Sequence, residues 1–295
     1  MDTSQPLSVS DYLVAAHLDG ERQEARIFLA TAIDKDAILD QFAHRIQWQS
    51  TVTWNARRMA VEALRTQTFK ALTLATQPWN QPPADPVMAA LVGGIRDLGI
   101  DRLPWTRALR TWQARTMLMA RIDAVGGPWP DVSDTVLTDT LERWLAPYLT
   151  GIMRLKDVDN RLFTDALTNH LTWRQRRQLE ELAPTHITVP SGYRRPIDYS
   201  EPDPVLAVRI QEMFGASSTP AIAGGKMPLV LHLLSPAGRP AQITRDLAGF
   251  WDNSYPDVKK ELKGRYPKHS WPDDPRTADP SQRIWRKKNE PHKTN

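Results

Sequence analysis

The sequence predicts an α+β protein with a β-rich N-terminal part (1–80), a central helical part (81–190) and a C-terminal α/β part (191–276), followed by a tail at 277–295 expected to be disordered. Three observations carry this. "IQWQSTVTW" (46–54) puts Trp48, Val52 and Trp54 on one face with polar residues between, the period of a half-buried strand. From Asp85 to Ala183 the apolar period becomes helical. After the proline-rich stretch 183–204, a helical pattern precedes a hairpin.

In the first part, "YLVAA" and "EARIFLA" flank "HLDGER", whose Asp19-Gly20 signals a hairpin. "DKDAILDQFAHRI" predicts a short helix, with Ile38, Phe42 and Ile46 on one face. "NARRMAVEALRTQTFKALTLA" (55–75) reads as one or two strands or as a helix, because alanine, glutamate and arginine favour helices. Prolines in "TQPWNQPPADP" then interrupt regular structure.

In the second part, "DPVMAALVGGIRDLG" opens on Asp85-Pro86 and closes at Gly99. The next helix aligns Trp105, Leu109, Trp112, Thr116 and Met119, with Arg107, Arg110 and Arg121 off that stripe. "TDTLERWLAPYLTGI" and "NRLFTDALTNHLTWRQRRQLEELAP" complete four or five helices, and Trp105, Trp112 and Trp144 read as core. In the third part, "DPVLAVRIQEMFG" predicts an amphipathic helix capped by Asp203, lined by Leu206, Ile210 and Phe214, and ended by Gly215. "PLVLHLL" and "PAQIT" predict a hairpin with Gly238 in its turn.

Composition narrows the chemistry. Apolar (41%) and charged (24%) contents are those of a folded protein, and a net charge of +4 leans mildly towards acidic partners. The absence of cysteine excludes disulfides and cysteine-ligated zinc. No signal peptide is legible, and the longest apolar run, "MPLVLHLL", is too short to span a bilayer, so a cytoplasmic location and no membrane partner are expected. "AGGKMP" (223–228) fails as a phosphate-binding loop, because Pro220 and Met227 stand where glycine and Ser/Thr are required. No nucleophile-elbow, zincin or dinucleotide motif occurs. His232 reads as a core histidine, and the pairs Glu180-Glu181 and Asp273-Asp274 as exposed surface. No catalytic residue, metal ligand or cofactor is predicted in this chain.

"SYPDVKKELKGRYPKHSWPDDP" (254–275) is the exception to this plainness. Ser254 and Asp257 suit a capping box, Gly264 a helix stop, and Tyr255, Val258 and Leu262 an apolar stripe. Lys259, Lys260 and Lys263 lie beside that stripe, Arg265, Lys268 and His269 extend the cationic row, and Tyr266 and Trp271 interleave with it. Cations with aromatics suit phosphates and stacked bases. Lysines at a helix C-terminus also serve stability alone, or form a solvated face. Both readings stand at this point.

"LAPTHITVPSG", "VLAVRIQEMFG" and "TPAIAGGKMPLVLHLLSPAGRPAQITRDLAGFWDNSYPDVKKELKGRYPKHSWPDDP" resemble the C-terminal region of the HrpB-type bacterial ATP-dependent helicases, relatives of the DEAH/RHA RNA helicases. "YLVAAHLDG", "EARIFLA", "LPWTRALR" and "RWLAPYL" resemble the preceding region of that family, so the likeness runs over roughly residues 10 to 276. It implies a partial OB-like barrel in 1–80, lacking its first strand, and a family-specific C-terminal domain in 191–276. It further implies a carboxy-terminal piece of a helicase whose ATP- and Mg-binding motor domains are encoded elsewhere. The expected role is accessory: binding single-stranded nucleic acid, RNA in preference to DNA, through Lys259, Lys260, Lys263, Arg265 and Lys268 on phosphates, with Tyr266 and Trp271 stacking or anchoring. The alternative is a module that docks on motor domains or on another protein.

Overall fold

The computed structural model describes residues 6–19, 27–122 and 128–280. The polypeptide divides into two units, residues 1–98 with 149–158, and residues 99–148 with 159–295.

In the first unit, β1 (Leu13–Leu18) and β2 (Ile27–Ala32) form an antiparallel pair, as the hairpin signal predicts, although Gly20 lies outside the described residues. The short helix α1 (Lys35–Gln41) buries Ile38, while Phe42 leaves the helix to stack on Phe69, the ring centroids 4.7 Å apart. β3 (Ile46–Asn55), β4 (Ala60–Phe69) and β5 (Leu72–Pro78) make an antiparallel meander, so the ambiguous stretch 55–75 is two strands. Tertiary pairing overrides helical propensity there: β4 lies between two partners and buries Ala60, Val61 and Ala63. Val61 N–H also donates to Met153 O at 2.7 Å, tying in segment 149–158. α2 (Ala84–Leu98) packs on the meander through Val87, Leu91, Val92 and Ile95, and Gly99 follows it with φ +86°. Gly94 makes the approach close: a Cβ there would lie 2.1 Å from the Trp54 ring.

The second unit opens with α3 (Arg107–Arg121), capped by Thr106, whose hydroxyl accepts from Leu109 N–H at 3.2 Å. Then come α4 (Asp134–Asp139), α5 (Leu141–Trp144), α6 (Asn160–Thr168) and α7 (Trp173–Leu182), the last begun by a Thr172–Gln175 capping box. Trp144 is buried, whereas Trp105 and Trp112 are half-buried, and Trp105 meets Phe163 edge-on at 5.0 Å. β6 (His186–Thr188), β7 (Arg194–Asp198) and β8 (Val205–Arg209) are followed by the small pair β9 (Ala221–Ile222) and β10 (Met227–Pro228). β11 (Val230–Leu234) and β12 (Pro240–Thr244) form the expected hairpin, with Gly238 at φ +79°. A mixed sheet results, ordered β12-β11-β8-β7-β6, with β8 and β11 parallel.

One predicted helix is corrected. Residues 205–209 are the central strand β8, followed by a single tight turn at Ile210–Met213, and Asp203 pairs with Arg121 and Arg245 instead of capping. Leu206, Ile210 and Phe214 are indeed fully buried, which is why their spacing imitates a helical face. Val205 and Val208 are buried as well and only Ala207 is exposed, so the strand reads as a near-continuous apolar run rather than an alternating one.

The chain ends its described fold in α8 (Leu247–Gly249), a wider π-turn at Phe250–Ser254, and α9 (Tyr255–Arg265). Leu247, Phe250, Trp251, Tyr255, Leu262 and Trp271 join Leu206, Leu231 and Leu233 in one apolar cluster. No described helix is long and apolar enough to cross a membrane.

Candidate nucleic-acid interface

The helical run bearing the lysines begins at Asp246, whose carboxylate accepts from Gly249 N–H at 2.9 Å. Ser254 is therefore no cap: at φ −99°, ψ −26° it continues a helix that started upstream, and its side chain caps nothing. Gly264 is likewise inside α9, which runs one residue further. The predicted apolar stripe is present, with Tyr255 and Leu262 buried and Val258 half-buried against the core.

Two hydrogen bonds fold the following segment back over this helix. Tyr255 OH donates to Pro272 O at 3.0 Å, and Trp271 Nε1 donates to Tyr266 O at 3.0 Å. Burial raises the Tyr255 phenol far above its ordinary value, so it remains a donor. Arg276 completes the clasp, with Nη2 on Ala248 O at 3.1 Å and 2.8 Å from Asp252.

This clasp sorts the candidate residues. Trp271 is 8% exposed and sits in the core, so of stacking and anchoring its ring does the anchoring. Tyr266 is half-buried, packed on the same core and edge-on to His269. Lys259 Nζ hydrogen-bonds and ion-pairs with Asp273, and its side chain is only 16% exposed. That hydrogen bond and charge, with a contribution from Lys263, hold the Asp273 carboxyl below its ordinary value. Lys260, Lys263, Arg265 and Lys268 are exposed. At 100° per residue Lys260 and Lys263 share one flank of α9, while Arg265 lies on the opposite flank, 4.0 Å from Glu261. His269 adds no charge to the row, because burial and the nearby Arg209 lower its pKa.

No group of three or more His, Cys, Asp or Glu poised for a metal occurs among the described residues. His232 is half-buried in β11, Asp274 accepts from Arg276 N–H at 2.9 Å, and Glu180 pairs with Arg115. Sequence reasoning passed over "WRQRR" (173–177), in which a tryptophan is followed by three arginines within four residues.

Comparison with known proteins defines a class first. Residues 144–275 match the HrpB_C family, described as ATP-dependent helicase C-terminal, a span that holds the mixed sheet, α9 and the Lys259–Asp273 clasp. The chain is 40% identical over 287 residues to the ATP-dependent RNA helicase HrpB of Escherichia coli (strain K12), covering 96% of this chain and 35% of that protein. Its fold matches the crystal structure of the E. coli DExH-box NTPase HrpB with a TM-score of 0.66 at 40% identity, over 95% of this chain and 35% of that one. A second crystal structure, of the Escherichia coli DEAH/RHA helicase HrpB, matches with a TM-score of 0.57 at 37% identity, over 90% and 33%. The chain thus corresponds to the C-terminal part of the HrpB-type helicases and spans about a third of the length of the relatives it matches.

Proposed function

We propose that this chain is an accessory nucleic-acid-binding and regulatory portion of an ATP-dependent helicase, acting for ATP- and Mg-binding motor domains in cis or in trans. The observation that carries the reading is the set of exposed cations, Lys260, Lys263, Arg265 and Lys268, on and just beyond a helix held rigid by the Tyr255–Pro272 and Trp271–Tyr266 bonds. Lys260, Lys263 and Lys268 contact phosphates of a single strand, RNA in preference to DNA, while Arg265 adds positive charge from the opposite flank. Lys259 serves Asp273, and Trp271 serves the core. The strands of residues 1–80 are taken as the counterpart of the family's OB-like region.

The test is a salt titration of binding to single-stranded RNA. Each phosphate neutralised steepens the fall of log K with log salt by about 0.7. Lys260→Glu with Lys263→Glu is expected to weaken binding and flatten that slope by more than one unit's worth of neutralised phosphate, about 1.4 for two contacts. An unchanged slope would remove both lysines from the interface.

A second reading, docking on helicase motor domains, draws on a different observation. β1 and β2 expose Val14, Leu18, Ile27, Phe28 and Leu29, an apolar surface that a two-stranded ladder does not stabilise alone. Pull-down of motor domains at salt high enough to strip RNA, abolished by Phe28→Asp, would favour it.

A further inference from the structure

Trp173 is 76% exposed, more than any other tryptophan among the described residues. Tryptophan offers a large flat apolar ring, and here it stands in water with exposed arginines beside it. The helix start that carries it is firmly placed. The Thr172–Gln175 box caps the helix it begins, Gln175 Nε2 donates to Pro128 O at 3.0 Å, and Arg176 donates to Leu171 O at 3.2 Å and to Asn169 Oδ1. Arg174 and Arg177 are exposed, and Arg177 lies one helical turn from Trp173 on the same face. Of the two acids at the other end of α7, Glu180 is turned to Arg115.

The turn leading into Trp173 borders a cavity of about 540 Å³, lined by Arg143, Trp144, Tyr148, Asn169 and His170. Asn169 Nδ2 donates to Tyr148 OH, but His170 Nε2 is buried without a hydrogen-bond partner. Trp144 and His170 lie there tilted by 51° to each other, with centroids 5.6 Å apart.

We propose that Trp173 is a base-stacking platform for a single-stranded polynucleotide, with Arg174 and Arg177 on the flanking phosphates. The platform rests on the nucleic-acid reading above and locates a contact separate from α9. Stacking on an aromatic ring with cations along the backbone is how single strands are held without sequence readout.

Fluorescein-labelled oligouridine and oligothymidine, titrated by anisotropy across a salt series against the full chain, test it and separate RNA from DNA. Trp173→Ala is expected to weaken binding about tenfold with the salt slope unchanged, because stacking releases no counterions. Trp173→Phe should restore most of the loss, and Arg174→Glu with Arg177→Glu should flatten the slope. As Trp173 lies in solvent, its replacement leaves the fold intact, which circular dichroism verifies. If Lys260→Glu with Lys263→Glu weakens binding while Trp173→Ala does not, the platform is overturned and the α9 interface stands. If the parent chain binds neither oligonucleotide, both readings fall. Loss of motor-domain pull-down by Trp173→Ala, with oligonucleotide affinity intact, would overturn the platform in favour of a protein contact.

Discussion

Arg115 is a cation folded into the interior. It is 3% exposed, donating Nε to Ala183 O and Nη2 to Leu179 O at 3.1 Å, and reaching Glu180 at 2.8 Å. It thereby gives the Ala183 carbonyl at the end of α7 a donor, and adds a second donor to Leu179 O, which already accepts from Ala183 N–H at 3.0 Å. Arg115→Met should cost about 1–3 kcal/mol, for the Ala183 carbonyl stranded out of water, measured by urea unfolding. Gly94→Ala should be similarly costly, about 1–3 kcal/mol, because the new methyl collides with the Trp54 ring and one element must move. Burial lowers the His170 pKa below 6.5, so the unfolded chain binds that proton more readily than the folded one. Stability should be fully present above pH 6.5 and fall as pH drops towards the folded pKa, and His170→Gln should flatten this part of the curve. None of these roles is legible locally: Arg115 finds its partners 64 to 68 residues away, and glycine or histidine looks alike in a cleft and in water.

At the scale of elements, period-2 alternation identified β3, whose Val52 and Trp54 are half-buried although Trp48 is exposed, and the helical period identified α2, α3, α6 and α7, each of which buries apolar residues. β8 escaped, since its apolar residues run on without alternation and its place between β7 and β11 is set by pairing with distant strands. Ala207→Pro, which strips a ladder donor from that central strand, should lower stability by about 1–3 kcal/mol or more in the same unfolding assay. The helix of residues 255–265 was correctly expected, but its start was not. The run begins at Asp246 and passes through a π-turn, a device with no local signature, and the turn sets which residues of α9 face inward. The lysine row was legible as a helical stripe. That Lys259 belongs to Asp273, fourteen residues on, and Trp271 to the core depends on a return of the chain that no spacing rule anticipates.

At the scale of the molecule, two units share one chain, the second beginning at Gly99 and recruiting everything after Asp159, while the first takes back residues 149–158. The 295 residues carry no Walker or DExH motif, so the purified chain should release no phosphate from ATP, checked by a phosphate-release assay with and without RNA. The sequence by itself determined the α+β class, most element types and the kinship with HrpB-type helicases. Patterns of burial along one element, and of identity along a family, are properties of the linear chain. The tertiary structure alone decided the central place of β8, the pairing that withdraws Lys259, and the exposure of Trp173, because burial and charge neutralisation depend on partners brought together only when distant segments fold against one another.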